Sequence, residues 1–244
     1  MNIIKLDATE STNSFLKELS VNSDLPNYTV VVTDKQTSGR GQMNTKWISE
    51  PNKNLLCSVY ITFSDFPISK QVYLNFAIAI AIHEALSSFG LPNLDIKWPN
   101  DILSGKKKVC GILIENILKG NKIDATIVGI GINVNQDSFS DKIPNAASIK
   151  NITGESAAID DVLFKVVKKI EEKVLLLSTK QYWVLKNEYH NVLHKKNIPS
   201  MFKDDKDVVF MGKILEVDTS NGKLLIELAD ETIRSFHLKE VTFV

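Results

Sequence analysis

Residues 94–135 read LDIKWPNDILSGKKKVCGILIENILKGNKIDATIVGIGINVN. Three strand-like pieces follow one another here, DIKW, VCGILIEN and ATIVGIGINVN, and the turns SGKK and KGNK separate them. Short glycine-bearing turns between apolar runs predict hairpins. Because no helix intervenes between these strands, a doubly wound parallel sheet is disfavoured. The stretch therefore predicts an α+β fold, with a mixed, mostly antiparallel sheet and helices on one side of it.

The chain before this stretch supplies more strands and two helices. Residues 2–7, 28–34 and 55–63 are apolar or β-branched and predict strands. Cap-type residues at 11–13 open a helix, and apolar residues at three- and four-residue steps over 74–89 predict an amphipathic one. The polar segment between residues 35 and 54 lacks periodicity, and a loop of this length inside a compact domain is usually functional or disordered.

The chain after this stretch changes character near residue 196. Residues 136–158 are polar and irregular, and two helices are predicted around 163–177 and 180–194. Beyond them, VVFMGKILEV, KLLIEL and TIRSFHL predict short strands of a small all-β barrel. We therefore expect two domains, 1–195 and 196–244, with the small one packed on the main body.

The composition narrows the class of protein. Among 244 residues, 29 Lys plus Arg balance 29 Asp plus Glu, so broad nucleic-acid or acidic-membrane binding is disfavoured, although a local basic loop stays possible. Cys57 and Cys110 both lie in apolar runs, which predicts buried thiols in a reducing compartment. No apolar run approaches the roughly 20 residues that span a bilayer, and no signal peptide opens the chain. We expect a soluble cytoplasmic protein.

The irregular segment carries the first candidate site, Gly39-Arg40-Gly41. Glycines let backbone N–H groups approach an anion, and arginine offers a fork for carboxylate or phosphate. Alone, the motif is weak, and a plain surface loop is the commoner explanation. Trp47 at the far end of the loop could cover a flat base or anchor the loop in the core, and the sequence leaves both possibilities open.

Three further features lie on or beside the predicted hairpins. In KWPND, Lys97 and Asp101 bracket a rigid turn that suits a phosphate and a divalent cation, although a strand end with a surface lysine is the simpler interpretation. Lys108 enters a buried strand and can face a ligand, whereas 106–108 alone resembles a solvated turn. Gly129 and Gly131 indicate either close ligand approach or a bulge.

Several common motifs are missing or incomplete. There is no Rossmann fingerprint, no GxxxxGK[ST] phosphate loop and no GxSxG elbow. His190 and His194 have the four-residue spacing that can hold zinc, but HNVLH lacks the glutamate of HExxH. A structural or exposed role is therefore expected for both histidines.

Five motifs together resemble one family. ESTN, QTSGRGQ, KWPND, KKVCGILIE and GIGINVN occur here in the order found in biotin protein ligases, and the resemblance runs from about Lys5 to the C-terminal HLKEV. It implies a class II synthetase-like α+β catalytic domain followed by an SH3-like barrel. Many bacterial members also carry an N-terminal winged-helix repressor domain. Since the first catalytic strand begins at residue 2 here, the resemblance implies a stand-alone ligase without operator binding.

The family's reaction has two steps. Biotin and ATP give biotinyl-adenylate and pyrophosphate, and a specific lysine of a biotin carboxyl carrier protein then displaces AMP. The resemblance implies Mg²⁺ and a carrier of acetyl-CoA carboxylase or a related biotin-dependent enzyme. The physical problem is the approach of two anions, the biotin carboxylate and the α-phosphate, which preorganised cations ease. No enzyme nucleophile is required.

The resemblance assigns roles residue by residue. Lys108 matches the lysine that bridges the biotin carboxylate and the α-phosphate, and Trp47 matches the tryptophan that covers adenine. The catalytic set it implies is Lys108, Arg40, Lys97 and Asp101, with Asp101 at the metal. The biotin-binding set is Ser11, Thr12, Gln36, Gly39, Arg40, Gly41, Lys108, Gly111, Gly129 and Gly131. The ATP-binding set is Arg40, Gln42, Trp47, Lys97, Asn100, Lys108 and Asn133.

This chain departs from the family pattern in the loop. Many members have arginine where Gln42 stands and another near Thr45, and many have glycine at the position of Asn44. Gln42 can hydrogen-bond an adenylate but brings no charge. We therefore hypothesise that the intermediate is held less tightly than in arginine-bearing members.

Two other functions stay open. A lipoate ligase shares the catalytic fold, but its arginine followed by a glycine run ahead of a histidine-aspartate pair is missing here. A non-catalytic biotin- or partner-binding module would give Arg40, Lys97 and Lys108 no reason to converge with Gln36 and Gly131. The family uses a sheet edge for dimers or for docking the carrier, so a homodimer is possible, and no nucleic-acid or membrane partner is expected.

Overall fold

The computed structural model describes residues 1–141 and 143–244, except for the side chain of Asn44. The hypothesis on Asn44 therefore lies outside the described part of the chain. The main sheet has seven strands, in the order β1-β2-β3-β7-β6-β5-β4. These strands are β1 (Asn2–Thr9), β2 (Thr29–Gln36), β3 (Leu55–Pro67), β4 (Leu94–Lys97), β5 (Asp101–Ser104), β6 (Lys107–Lys119) and β7 (Lys122–Ile132).

The pairing of these strands confirms the predicted class of sheet. β1 and β2 run parallel, because α1 (Thr12–Asn22) connects them, and every other described pair is antiparallel. The hairpin of β6 and β7 lies beside β3 in the middle of the sheet. The sequence missed β5, a four-residue strand that pairs with β4 and β6 and turns the KWPND segment back into the sheet.

Helices cover both faces of the sheet, which differs from the one-sided arrangement expected. Leu16 of α1 packs with Val31 and Ile127 on one face. Val30, which precedes Val31, and Val128, which follows Ile127, point to the opposite face and belong to the main core there. That larger core is closed by α2 (Gln71–Ser87), α4 (Ile159–Ser178) and α5 (Tyr182–Asn191).

The two long helices fit the sequence differently. In α4 the predicted stripe, which includes Leu163, Val166 and Ile170, is buried as expected. In α2 the buried residues are on nearly all sides, because sheet, α4 and α5 enclose it. The alternation of alanine and isoleucine around Ile78 allows this dense packing. The short helix α3 (Ile149–Thr153) lies in a segment expected to be irregular; Ser148 and Asn151 form its capping box.

The C-terminal residues form a second sheet with the order β11-β10-β9-β8-β12. The strands that come first and last along the chain, β8 and β12, were not predicted from the sequence. The hydrogen-bonded order begins at β11 and ends at β12, so its closure into an SH3-like barrel stays a prediction. The strands are β8 (Pro199–Asp204), β9 (Val209–Val217), β10 (Leu224–Leu228), β11 (Ile233–Phe236) and β12 (Val241–Phe243).

Side-chain hydrogen bonds join this second sheet to the main body. The indole of Trp98, between β4 and β5, donates to the carbonyl of Gly222 (3.1 Å). His190 of α5 is buried and its Nε2 accepts the N–H of Val217 (2.9 Å), in line with the structural role expected for it. The boundary between 195 and 196 stays a prediction. None of the described helices is both long and apolar enough to cross a lipid bilayer.

Candidate active site

A cavity of about 240 Å³ lies where the N-terminus of α1, the segment after β2 and the glycines of β6 and β7 meet. Leu238 and Lys239 of the C-terminal region also line it. The structure thereby brings together most residues that the sequence singled out. The predicted residues that line the cavity are Ser11, Thr12, Gln36, Arg40, Gly41, Gln42, Trp47, Asn100, Asp101, Lys108, Gly111, Gly129 and Gly131.

Three predicted residues are not among the described lining residues. Gly39 shapes the loop, where its carbonyl accepts the N–H of Trp47 (2.9 Å). Lys97 ends β4 and its Nζ lies 5.5 Å from the ring centroid of Phe243. Asn133 is buried and its amide donates to the carbonyls of Lys108 and Ala147, at 3.4 and 3.2 Å. Their assigned ligand contacts therefore stay predictions.

Two facing glycines make the flat wall of the cavity. Gly111 of β6 and Gly131 of β7 are cross-strand partners, so both lack a side chain at the same level of the sheet. The Trp47 indole lies against them: a β-carbon on Gly111 would be 2.8 Å from Cζ3 of the ring. The indole Nε1 is buried without a hydrogen-bond partner among the described residues. A buried donor of this kind is costly to leave unpaired, so a ligand acceptor is its expected partner.

One end of the cavity is polar and uncharged. The backbone N–H of Thr12 donates to Gln36 Oε1 (2.9 Å), and the Thr12 hydroxyl donates to the same atom (3.2 Å). Because Oε1 is thus engaged by α1, the amide group Nε2 of Gln36 is left as the donor. The hydroxyl of Ser58, on β3, lies 2.7 Å from Thr12 Oγ1. This fixed set of donors and acceptors suits a neutral cyclic urea or amide.

The other end of the cavity is charged. Lys108 Nζ lies 2.7 Å from Asp101 Oδ1, as an ion pair that lacks hydrogen-bond geometry. The Lys108 ammonium also lies 5.6 Å from the centroid of the Trp47 ring. Arg40 pairs with Glu115, and Lys239 Nζ donates to the carbonyl of Met43 (3.3 Å). Arg40, Lys108 and Lys239, which come from three separate parts of the chain, therefore all line the same cavity.

The backbone around Asp101 is fixed by Asn100. Its amide donates to the carbonyl of Ile112 (2.7 Å), and its own carbonyl accepts the N–H of Ile112 (3.0 Å). These bonds hold the turn after β4 against β6. The backbones that carry Asp101 and Lys108 are therefore held on adjacent strands, β5 and β6.

The two thiols are poorly suited to nucleophilic attack. Both cysteines are buried and free, as expected. Burial raises the pKa of Cys57, on the cavity wall, to about 12, and burial raises the pKa of Cys110 well above its usual range. A thiol that stays protonated at neutral pH is a poor nucleophile.

The donor set offers a divalent cation only partial ligation. Among the described residues, no three or more His, Cys, Asp or Glu side chains cluster as a metal cage. Asp101 supplies one carboxylate at the charged end of the cavity. Mg²⁺ is commonly held by one or two carboxylates together with substrate phosphates, so this arrangement fits it when a nucleotide is present.

Sequence reasoning missed several residues of the site. Asn13 belongs to the ESTN motif but received no role, and Ser58 is a lone hydroxyl inside an apolar strand, which was a usable signal. Glu115 ends the KKVCGILIE motif. Lys239 lies in HLKEV, the segment at which the family resemblance ends, but it received no role.

Comparison with known proteins gives consistent results. The model of the biotin/lipoate A/B protein ligase family matches residues 6–133. The bifunctional ligase/repressor BirA of Bacillus subtilis (strain 168) is 30% identical over 243 residues, which cover 98% of this chain and 73% of that protein. A biotin–[acetyl-CoA-carboxylase] ligase of Paracoccus denitrificans is 33% identical over 131 residues, 53% of each chain.

A solved structure resembles the whole chain. The biotin protein ligase from Aquifex aeolicus in complex with biotin and ATP superposes with a TM-score of 0.79 at 28% identity. The match covers 99% of this chain and 97% of that one. It therefore includes the C-terminal sheet as well as the main sheet.

Proposed function

Because the chain belongs to the biotin/lipoate A/B protein ligase family, we propose that it attaches biotin to a specific lysine of a carrier protein, using ATP and forming biotinyl-5′-AMP. The observation that best supports this proposal is the chemistry of the cavity. A neutral polar end, at Thr12 and Gln36, and a cationic residue, Lys108, line one cavity, together with the facing glycines on which the Trp47 indole lies. A ligand with a ureido ring at one end and a carboxylate at the other matches both ends.

The polar end would select the ligand. Gln36 and Thr12 are locked together by two hydrogen bonds, so the donors and acceptors that remain have fixed directions. Ser11 lies beside them on the cavity wall. A cyclic urea offers one carbonyl acceptor and two N–H donors, whereas the dithiolane ring of lipoate offers neither. A site built to hydrogen-bond a ligand discriminates strongly against one that lacks those groups.

The charged end would promote the first step. The carboxylate oxygen of biotin attacks the α-phosphorus of ATP, a new P–O bond forms, and pyrophosphate leaves. Lys108 and Arg40 lower the barrier by neutralising both anions and by holding them within reach. Lys108 is paired with Asp101 in this structure, and the substrate anions would share its ammonium.

Trp47 and the metal complete the nucleotide site. The indole of Trp47 presents an apolar ring with a free N–H, which suits stacking on adenine. Asp101, with the phosphates, would hold Mg²⁺, whose contribution when bound is to neutralise phosphate charge. The predicted contacts of Gln42, Asn100 and Lys97 with ATP belong to this proposal.

The acceptor would be a biotin carboxyl carrier protein. The names of two relatives, biotin–[acetyl-CoA-carboxylase] ligases, support a carrier of that enzyme or of a related biotin-dependent one. In the second step the carrier's lysine amine attacks the carbonyl carbon of the mixed anhydride, and AMP leaves. A cytoplasmic location, a possible homodimer and the lack of nucleic-acid and membrane partners are parts of the same proposal.

A direct experiment separates the candidate functions. The purified protein is incubated with Mg-ATP and either biotin or lipoate, and the acyl-adenylate and pyrophosphate are measured by mass spectrometry. Biotinyl-adenylate with biotin only is the expected result. Lipoyl-adenylate would favour the lipoate ligase, and no product from a folded protein would favour a binding module.

A further inference from the structure

Arg40 and Glu115 form an ion pair at the edge of the cavity. Nη2 of Arg40 contacts Oε1 of Glu115, and Nη1 of Arg40 donates to Ser14 Oγ (3.0 Å). Arg40 belongs to a loop and its side chain is 42% exposed, whereas Glu115 is on β6, inside the sheet, and is 25% exposed. Glu115, held in the sheet, therefore helps to fix where the more exposed arginine places its charge.

The second oxygen of Glu115 has a different partner. Oε2 accepts from Asn13 Nδ2 (2.7 Å), and Asn13 Oδ1 in turn accepts from the Ser58 hydroxyl (2.6 Å). Asn13 is buried and lies against the α-carbon of Gly129, where any side chain would overlap it. One carboxylate thus connects the cationic loop with the polar wall of the cavity.

The charge of Glu115 needs an explanation. A carboxylate beside a site that collects a second carboxylate and a triphosphate would repel both, unless a cation neutralises it. The pairing with Arg40 supplies that cation. A guanidinium has five N–H donors, and the contacts to Glu115 and Ser14 use one each, so three remain for a ligand.

We propose that Glu115 is a positioning residue for adenylation, which orients the Arg40 guanidinium so that its remaining donors face the cavity. The inference rests on the proposed function. Glu115 touches no reacting atom and acts only through Arg40. The competing explanation is structural: Glu115 would merely hold Asn13, and its contact with Arg40 would be incidental.

A double-mutant cycle distinguishes the two explanations. Glu115→Gln keeps the shape and one acceptor oxygen for Asn13, but it loses the charge that holds Arg40. We expect the single-turnover rate of biotinyl-adenylate formation to fall about tenfold, the size of effect seen when one charge-assisted contact is lost. In an Arg40→Ala background the same substitution should cause no further loss, because the residue through which it acts is gone and the carboxylate that it removes is no longer neutralised.

The outcomes are decisive in both directions. An equal loss in both backgrounds, or a single-mutant rate within twofold of the wild type, would overturn the proposal. If Glu115→Gln does not fold by circular dichroism, Glu115→Asp replaces it in the same cycle, since it keeps the charge but shortens the side chain that reaches Arg40. Then, too, a loss that disappears in the Arg40→Ala background supports the proposal, and any other result overturns it.

A matched control uses another paired glutamate. Glu216 pairs with Lys186 at 2.8 Å, and neither residue lines the cavity. Glu216→Gln is expected to leave the adenylation rate unchanged. A wild-type protein that forms no biotinyl-adenylate would instead refute the proposed function, and this result is separate from any result on Glu115.

Discussion

A β-carbon on Gly131 would lie 2.5 Å from Cε2 of the Trp47 indole. The ring therefore occupies the space that the side chain of any residue other than glycine would fill at position 131. Gly111, opposite Gly131 on β6, is under the same restriction from the same ring. Glycine at both positions is thus explained by one close approach of the loop to the sheet.

Gly131→Ala tests whether this approach matters for activity. The added methyl group should push the indole off the wall, and the loop would follow because Trp47 N donates to the carbonyl of Gly39. Since misplacing reactive groups by about 1 Å can cost 100-fold, we expect adenylate formation to fall at least tenfold. The rate is measured in a single turnover, with thermal unfolding followed in parallel.

Substitution of a second glycine, Gly154, should affect stability but not activity. Gly154 caps α3 with a φ of 80°, and no atom lies within contact distance of its missing β-carbon. Gly154→Ala should lower the free energy of unfolding by about 1 kcal/mol through backbone strain, but leave adenylation unchanged. Full activity of Gly131→Ala would show that the position of Trp47 on the wall is not required.

Lys108→Ala should abolish most of the adenylation activity. The substitution removes the ammonium that lies beside Asp101 and leaves that carboxylate unpaired next to the substrate anions. By comparison with other preorganised electrostatic contacts, a loss of about 100- to 1000-fold is expected. Pyrophosphate release gives the rate, and circular dichroism should show an unchanged fold.

The adjacent lysine is the natural control for that variant. Lys107 is exposed and donates to the carbonyl of Pro144 (3.0 Å), outside the cavity. Lys107→Ala removes the same charge one residue away, and its adenylation rate should match the wild type. Comparable losses in both variants would mean that general charge, and not the position of Lys108, drives the reaction.

The main sheet could be predicted because its strands carry long apolar runs, but short or mixed segments could not. β5 has four residues, DILS, and β8 reads PSMFKD, so neither shows a usable period. α2 was predicted as one-sided, since the sequence does not reveal that sheet and helices enclose it. Its Ala-Ile alternation fits a helix buried all round as well as an amphipathic one.

The site shows a similar division. The motifs predicted most of the residues that line the cavity, because each motif is a short contiguous stretch that can be matched to the family by itself. The partners that hold them are distant: Asn13 and Glu115 are 102 residues apart, and Lys239 and Met43 are 196 apart. Such pairs follow from the topology of the sheet and the return of the C-terminus, which one sequence does not disclose.

Gln42→Arg should slow the dissociation of biotinyl-adenylate. Gln42 lines the cavity, and its Oε1 is buried without a partner among the described residues. An arginine there would add a cation near the phosphate and could lower the dissociation rate about tenfold, the effect of one strong charged contact. Preloaded enzyme is chased with excess unlabelled biotin, and release of labelled adenylate is followed.

Gln181→Arg is the control for the added charge. Gln181 precedes α5 and is exposed away from the cavity, so arginine there changes net charge equally. Its release rate should equal that of the wild type. A slow wild-type release that Gln42→Arg leaves unchanged or accelerates would contradict the hypothesis of a loosely held intermediate.

His190 should make the protein less stable in mild acid. Burial lowers the pKa of His190 to about 4, and its neutral Nε2 accepts the N–H of Val217 on β9. In the unfolded chain the pKa is near 6.5, so between about pH 6.5 and 4 the unfolded state binds a proton that the folded state does not. The free energy of unfolding contributed by this group is complete above pH 6.5 and is lost as pH falls, by up to about 1.4 kcal/mol per pH unit.

His190→Gln isolates this contribution from that of the carboxylates. Glutamine can accept the same N–H through Oε1 but does not titrate, and all other groups stay the same. Urea unfolding between pH 7.5 and 5 should give a steeper loss of stability for the wild type than for the variant. Parallel curves would contradict the prediction. Because Val217 belongs to the C-terminal sheet, the protection of β9 from hydrogen exchange should also fall more between pH 7.5 and 5 in the wild type than in the variant.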